Sequence, residues 1–362
     1  MINKILNIAG INVSIDTTHI VGELIVKELE AIEKDEKKID ISIGFNDTNL
    51  DYKVTSGNNC KFNKGEFYYK SLYPIKYKVT NLFNDNEVKI DIEFMSKSIK
   101  AKIQSFLYGK NTIEKNTILS YGLFWYILQL ELLKKKKTFL HAGIFSKNGE
   151  AIAITGTGGS GKTSSLFKIL ENKKYKYLAE DFGIIGDDGW TYYNPKALSI
   201  YETDIQFNPK ILNKTYEFLT LKEKLLWDLQ VKFLHQDPII KVNPQKLLST
   251  QIVLKSKLKK VLYYVRVDTD EISISNISKE DLAARSLNVA LREFKMFFEI
   301  FTLLNANKKS DYNFLTIDDI IHSIRNIYID IFSKTENYLV EIPFKETPDS
   351  IIKFLKDKEI IN

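Results

Sequence analysis

Short runs of alternating apolar and polar side chains fill the first 110 residues, which is the pattern of half-buried β-strands. Asn, Asp and Gly residues separate these runs, and residues 24–32 are interpreted as a short helix. The predicted strands of this region lie at 39–43, 66–69, 75–79 and 88–94. The pattern therefore predicts a β-rich amino-terminal domain over residues 1–110.

Residues 111–362 combine longer helical patterns with further strands and are interpreted as a second domain. A helix is predicted over 113–137, and Ser278 and Thr347 are expected to cap two later helices, the first running to about residue 304. Strands are predicted at 138–146, 151–155, 175–180, 182–185, 190–193, 261–267, 272–274 and 338–342. The mixture predicts an α/β fold with mixed sheets.

Three of the predicted strand pairs read as hairpins. Asn148-Gly149 joins the first pair, and residues 186–189 and 268–271 supply the turns of the other two. The first hairpin ends directly before a glycine-rich segment. A hairpin in that position differs from the usual parallel βαβ layout of a phosphate-binding loop.

The glycine-rich segment, residues 156–163, reads GTGGSGKT and matches G-x-x-x-x-G-K-[ST] at every fixed position. Glycines let consecutive backbone N–H groups turn inward around a phosphate, and the following helix presents its positive end to the same anion. Lys162 is expected to reach the β- and γ-phosphates, and the Thr163 hydroxyl to bind Mg²⁺. The predicted nucleotide-binding residues are Gly156, Thr157, Gly158, Gly159, Ser160, Gly161, Lys162, Thr163 and Ser164.

An acidic pair, Glu180-Asp181, follows the next predicted strand about twenty residues after Lys162. One carboxylate in such a pair can face Mg²⁺ while the other accepts a proton from an attacking hydroxyl. The alternative is a solvated strand end. Asp187-Asp188 is a second acidic pair, but it fits turn chemistry better.

Composition indicates an ordinary globular protein of 362 residues, 44% hydrophobic, with a formal net charge of +6. Lysine greatly outnumbers arginine, and its runs fit solvated faces and helix ends better than a nucleic-acid surface. Cys60 is the only cysteine, so no internal disulfide forms, in agreement with a reducing cytoplasm. The apolar run 118–133 is interrupted and shorter than a bilayer span, and the first residues lack signal-peptide features. We therefore expect a cytoplasmic protein with no membrane or nucleic-acid partner.

The stretch from 140 to 185, LHAGIFSKNGEAIAITGTGGSGKTSSLFKIL…YKYLAEDFGII, resembles the HPr kinase/phosphorylase superfamily, whose nucleotide core is shared with phosphoenolpyruvate carboxykinase. The resemblance implies a P-loop kinase core that uses ATP and Mg²⁺ to phosphorylate a hydroxyl, typically of a serine. It also implies that Glu180 is the general base, that Asp181 joins Thr163 as a Mg²⁺ ligand, and that His141 is the family's upstream histidine.

The chain departs from the family in two respects. It has Glu-Asp where the family usually has Asp-Asp, and it carries no clear copy of the downstream signature for a protein substrate. A divergent member of the superfamily is therefore expected. No arginine is assigned to the transition state, but Arg285 and Arg292 lie on one face of a predicted helix and are the first to test.

Three functions are open at the level of sequence. The first is an ATP-dependent phosphotransferase acting on a hydroxyl of a protein, a peptide or a small molecule, with a homo-oligomer as one possible assembly. The second is a P-loop NTPase that hydrolyses nucleotide as a switch, although 213–216, NKTY, lacks the Asp of a GTPase base-reading motif. The third is a nucleotide-binding module without turnover.

Overall fold

The computed structural model has mixed α/β content, and the predicted fold class is confirmed at that level. The residues that it describes are 2–17, 20–29, 38–45, 60–63, 66–70, 75–82, 86–94, 124–201, 215–217, 219–232, 239–248, 251–306 and 315–361. They divide into two compact units. Unit 1 comprises Met1–Lys135 and Phe294–Ser323, and unit 2 comprises Lys136–Glu293 and Ile324–Asn362.

Unit 1 is built on one seven-stranded mixed sheet with the order β1-β2-β3-β7-β6-β5-β4. Strand β3 is parallel to both β2 and β7, whereas the other neighbours in the sheet are antiparallel. The strands are β1 (Ile2–Ile8), β2 (Ile11–Thr17), β3 (Ile41–Phe45), β4 (Cys60–Asn63), β5 (Glu66–Lys70), β6 (Ile75–Thr80) and β7 (Val88–Phe94).

The helices of unit 1 cover an apolar core. Helix α1 spans Ile20–Glu28 and α2 spans Phe124–Lys134, where residues 124–132 are buried apart from Tyr126. Helix α7 (Lys295–Ala306) places Phe297, Ile300 and Phe301 around a small apolar cavity that Leu82 and side chains of α2 also line. The core of this unit is therefore closed by a segment from late in the chain.

Unit 2 is built on an eight-stranded mixed sheet with a separate two-stranded sheet, β13-β14. Its strands are β8 (Lys137–Lys147), β9 (Glu150–Gly156), β10 (Lys176–Ala179), β11 (Phe182–Gly186), β12 (Trp190–Tyr192), β13 (Leu198–Tyr201), β14 (Ile239–Val242), β15 (Lys255–Val267), β16 (Ser273–Asn276) and β17 (Glu336–Pro343). Its helices are α3 (Lys162–Leu170), α4 (Leu221–Lys232), α5 (Pro244–Leu248), α6 (Lys279–Glu293), the part of α8 (Ile317–Phe332) after Ser323, and α9 (Pro348–Asp357).

Strand β9 lies between two partners of opposite direction. It pairs with β8 as an antiparallel hairpin, and the turn residues Asn148 and Gly149 both have positive φ, 54° and 82°, as a tight hairpin turn requires. On its other side β9 is parallel to β15, which is in turn parallel to β17. The carboxyl ends of β9, β15 and β17 therefore meet at one edge of the sheet, where the glycine-rich segment begins.

The hairpin predicted from 261–267 and 272–274 is wrong. The structure instead inserts β17 between β15 and β16, with Ser273 opposite Glu341. The buried apolar run of β15 takes long parallel partners on both sides, whereas the short polar β16 can serve only as an edge strand. Turn chemistry at 268–271 thus indicated a reversal of direction but not the pairing partner.

The single helix predicted from Ser278 to about residue 304 is also wrong, because it breaks at Phe294 into α6 and α7. The two halves bury their apolar faces in different units. Ser278 does cap α6, since its Oγ accepts from the Asp281 N–H at 3.1 Å. Thr347 caps α9 with Pro348 at the first helical position.

The predicted domain boundary between 110 and 111 lies outside the described residues, as does the first part of the helix predicted over 113–137. In the parts of the chain that the structure describes, no helix combines the length and apolar character needed to cross a bilayer.

Candidate active site

The glycine-rich segment forms a loop between the end of β9 and the start of α3. Gly156, Gly159 and Gly161 have φ of 145°, 78° and 96°, values that residues other than glycine rarely adopt. A Cβ at Gly156 would lie 2.4 Å from the carbonyl oxygen of Tyr264 in β15. Gly161 precedes α3 without a side-chain cap, so the first N–H groups of this helix are not satisfied by a capping side chain. The loop therefore has the backbone form that an anion site at a helix start needs.

Lys162 is buried and is held against the loop. Its Nζ donates to the Thr157 carbonyl oxygen at 2.8 Å. Burial lowers the pKa of Lys162, an effect that the nearby Asp181 and Glu180 oppose. The Ser160 hydroxyl beside it is buried and has no hydrogen-bond partner among the described residues. The loop thus brings together an ammonium group and an unsatisfied hydroxyl.

Glu180 lies directly after β10 and faces the first turn of α3. The Thr163 hydroxyl donates to Glu180 Oε1 at 3.1 Å. Glu180 is only 3% exposed, and its Oε2 has no hydrogen-bond partner among the described residues. Burial, reinforced by the charge of Asp181, raises the pKa of Glu180 well above its ordinary value. A buried carboxyl with one unpartnered oxygen, beside the Thr163 hydroxyl, has the chemistry of a metal ligand.

Asp181 pairs with Lys196 and not with the first turn of α3. Its φ of 63° places it at the centre of a tight turn in which the Phe182 N–H donates to the Glu180 carbonyl oxygen at 2.8 Å. Asp181 Oδ2 accepts from Lys196 Nζ at 3.1 Å. Burial alone would raise the pKa of Asp181, but the Lys196 ammonium helps to hold it below its ordinary value. The two adjacent acids therefore influence each other's pKa but differ in charge environment, because Lys196 pairs with Asp181.

Lys196 is a site residue that the sequence analysis did not single out. Its backbone N–H donates to Asn194 Oδ1 at 3.0 Å, while Asn194 Nδ2 donates to the Phe182 carbonyl oxygen at 2.6 Å. The Lys196 ammonium lies 4.9 Å from the centre of the Phe182 ring. A lysine between the Asn-Pro break and the mostly apolar segment 197–200 was the available sequence signal, because lysine is almost never buried without a partner.

His141 lies in β8 opposite Phe182 of β11 and is 8% exposed. Burial and the charge of Lys162 lower the pKa of His141 to about 4, so the imidazole is neutral near pH 7. Its Nδ1 has no hydrogen-bond partner among the described residues. The structure thus places His141 in the same neighbourhood as Lys162 and Asp181, as a neutral ring.

Arg266, at the end of β15, is the second site residue that sequence reasoning missed. Its Nε donates to the Ser160 carbonyl oxygen of the loop at 3.3 Å. Its Nη1 donates to the carbonyl oxygens of Pro343 and Glu346 at 2.7 and 3.0 Å. One guanidinium therefore links the loop to the turn that follows β17. The sequence feature that could have identified Arg266 is an arginine at the end of an apolar strand in a lysine-rich chain.

The two arginines chosen from the sequence lie elsewhere on α6. Arg285 Nε donates to Asp281 Oδ2 at 3.1 Å, and its guanidinium lies 5.6 Å from the centre of the Tyr263 ring. Arg292 is exposed. Neither has a described contact with the glycine-rich loop. Asp187 and Asp188 lie in the β11–β12 turn, where Asp188 accepts from the Trp190 N–H at 3.1 Å.

The site residues fit a magnesium-bound polyphosphate. Mg²⁺ prefers oxygen ligands and is usually held by one or two protein oxygens together with phosphate oxygens. The Thr163 hydroxyl and the Glu180 carboxylate are in contact, and Glu180 Oε2 is buried and unpartnered. Asp181 is adjacent in sequence but is paired with Lys196.

Comparison with protein-family models and with curated proteins finds no match for this chain.

Proposed function

We propose that this protein is an ATP-dependent phosphotransferase that moves the γ-phosphoryl group of ATP to a hydroxyl acceptor. The single observation that carries the proposal is the meeting of a glycine-rich phosphate loop with two carboxyls of different environment, Glu180 and Asp181. A simple phosphate-binding module needs the loop but has no use for the buried acid pair. A P-loop kinase core of the HPr kinase type accounts for both.

In the proposed reaction, the acceptor oxygen attacks the γ-phosphorus while the bond between that phosphorus and the β,γ-bridging oxygen breaks. ADP leaves, and the hydroxyl proton passes to a carboxylate of the site. Backbone N–H groups of the loop bind the phosphates, and Lys162 balances the negative charge that develops on the transferred group. Mg²⁺ bound with the nucleotide supplies charge neutralisation. Positioning and electrostatics account for most of the catalysis.

The two carboxyls divide the remaining roles between them. The resemblance implies that Glu180 accepts the proton and that Asp181 joins Thr163 as the metal ligand. The contact between Thr163 and Glu180 favours the reverse division, because the Thr163 hydroxyl is the expected metal ligand of the loop. Glu180→Gln and Asp181→Asn separate the two. The variant that lacks the metal ligand needs more Mg²⁺, whereas the variant that lacks the base binds Mg·ATP normally and loses turnover.

The acceptor is a hydroxyl-bearing protein, peptide or small molecule, and we propose a cytoplasmic protein that acts without nucleic-acid or membrane partners. A homo-oligomer fits this proposal as well as a monomer does.

His141 is a neutral ring near Lys162, so we propose that it contacts the phosphate or the acceptor without adding a positive charge.

The fate of the γ-phosphate tests the proposal. The protein is incubated with γ-labelled ATP, Mg²⁺ and a library of serine-containing peptides, and labelled peptide and free phosphate are measured separately. We expect labelled peptide, and Lys162→Ala should lower the rate of labelling by at least about 100-fold, since the transferred group loses the positive charge of Lys162.

Lys353→Ala, which changes an exposed lysine of α9, is the matched control and should leave the rate unchanged. Release of free phosphate without labelled acceptor would favour the NTPase alternative. Binding of ATP without either product would favour the binding module. An unchanged rate in Lys162→Ala would remove the loop from the mechanism.

A further inference from the structure

Phe344 is an aromatic side chain exposed to solvent in a hydrogen-bonded turn. It is 72% exposed, whereas no other phenylalanine whose side chain the structure describes is classed as exposed. It lies in a β-turn after β17 that is closed by the Glu346 N–H, which donates to the Pro343 carbonyl oxygen at 3.2 Å. Isolated exposed apolar residues are common, so the location of this one is what matters.

The turn that carries Phe344 is fixed to the glycine-rich loop from two directions. Arg266 binds the carbonyl oxygens at both ends of the turn and the Ser160 carbonyl oxygen of the loop. Immediately after the turn, α9 packs against α3, the helix that follows the loop, and Lys168 pairs with Asp349 at 2.9 Å. The turn that carries Phe344 is therefore linked to the phosphate loop by direct contacts on both sides.

Sheet topology places this turn on the side of the loop opposite to the acids. Strand β9, which leads into the loop, has β8 on one side and β15 on the other. Glu180 and Asp181 follow β10, which pairs with β8, whereas the turn follows β17, which pairs with β15. A nucleotide with its γ-phosphate toward the acids can extend its ribose and base to the other side of the loop. The end of β17 lies on that side in the strand order of the sheet.

We propose that the ring of Phe344 stacks on the nucleoside base of the nucleotide whose phosphates the glycine-rich loop binds. This inference rests on the proposed function only in requiring that the loop holds a nucleotide. Aromatic side chains stack on the π-face of any base, so the contact contributes affinity with little selectivity between bases. Arg266 acts as a positioning residue, because it sets the distance between the turn and the loop without touching the base.

A ligand without a base provides the test. Binding of ADP and of inorganic tripolyphosphate, each with Mg²⁺, is measured by calorimetry for the wild type and for Phe344→Ala. Since stacking on an aromatic ring contributes about 1–3 kcal/mol per base, the variant should bind ADP between about 5- and 150-fold more weakly. Its affinity for tripolyphosphate should be unchanged. Phe344→Trp keeps a ring and should bind ADP close to the wild-type affinity.

Leu254→Ala removes a half-exposed apolar side chain elsewhere in unit 2 and is the matched control. Equal affinity of Phe344→Ala and wild type for ADP, with tripolyphosphate still bound, would overturn the base contact and leave the phosphate site intact. An equal loss for both ligands would also overturn it, because the ring would then act on the loop itself. If the wild type bound neither ligand, the proposed function and this inference would fail together.

Discussion

At the residue scale, the most demanding feature of the site is the buried ammonium of Lys196. A lysine in such a position is stable only when a carboxylate compensates its charge, and Asp181 at 3.1 Å does so. The Asn194 side chain fixes both the Lys196 backbone and the carbonyl of Phe182. Lys196 therefore orients the Asp181 carboxylate and stabilises the turn in which Asp181 lies.

Lys196→Met is expected to destabilise the protein and to impair transfer. Asp181 would lose its compensating cation while staying largely buried, and we expect the free energy of unfolding to fall by about 1–3 kcal/mol. Chemical denaturation measures this change, and the labelled-phosphate assay measures the loss of rate. Lys255→Met, which changes an exposed lysine, is the control for loss of one positive charge.

A double variant separates the structural role of Lys196 from its role in the site. Lys196→Met combined with Asp181→Asn removes both charges and should recover most of the lost stability, yet transfer should stay impaired. Full recovery of the rate in the double variant would show that the pair serves stability alone.

At the element scale, the phosphate loop depends on glycine for different reasons at different positions. Gly156→Ala would place a Cβ 2.4 Å from the Tyr264 carbonyl oxygen at a φ of 145°, so the loop or β15 must move. We expect at least about tenfold weaker tripolyphosphate binding and a loss of about 1–3 kcal/mol in the free energy of unfolding.

The chain contains its own control for this change. Gly159 also has a positive φ, 78°, but a Cβ there would meet nothing within 4 Å. Gly159→Ala should therefore show only the smaller cost of the left-handed backbone, about 1 kcal/mol. If both variants bound tripolyphosphate equally well, steric contact with β15 would not be what requires glycine at 156.

Local chemistry made some elements predictable from the sequence and left others hidden. The Asn148-Gly149 turn and the glycine loop are encoded within a few residues, and both elements form where they were expected. The partner of β15 and the contacts of Arg266 are not local, since Arg266 lies 106 positions from Ser160 in the chain. Patterns of alternation give the face that a strand buries but carry no information about which strand lies beside it.

At the scale of the whole molecule, the chain passes between its two units three times. Unit 1 takes α7 and the first part of α8 from the carboxyl-terminal half, and the segment from Lys136 to Glu293 lies in unit 2. Each unit is therefore built from two separate stretches of the chain. The sequence predicted a helix here, but the core that receives α7 is set by distant contacts with α2 and Leu82.

The core of unit 1 contains a carboxyl that makes stability depend on pH. Glu131 of α2 is 6% exposed and lies 2.8 Å from Lys134 Nζ. Burial raises the pKa of Glu131 above 4.5, although Lys134 opposes the shift. The folded state therefore retains a proton that the unfolded state releases once the pH exceeds 4.5. The contribution of this group is fully present below that pH and is lost as the pH rises through its folded pKa.

Glu131→Gln replaces the carboxyl by a neutral group of similar shape and should remove this dependence. Near pH 4 the variant and the wild type should have similar free energies of unfolding, because the carboxyl is then protonated in both states. The variant should become progressively more stable than the wild type as the pH rises from 4.5, and the difference should level off above the folded pKa. Urea denaturation at a series of pH values, followed by hydrogen exchange of the α2 amides, measures the difference within the intact chain. Glu150→Gln, at an exposed position in unit 2, controls for the loss of one negative charge. If the wild type instead became more stable than Glu131→Gln as the pH rises, the cation of Lys134, and not burial, would control this carboxyl. A difference that does not change with pH would mean that the two effects cancel.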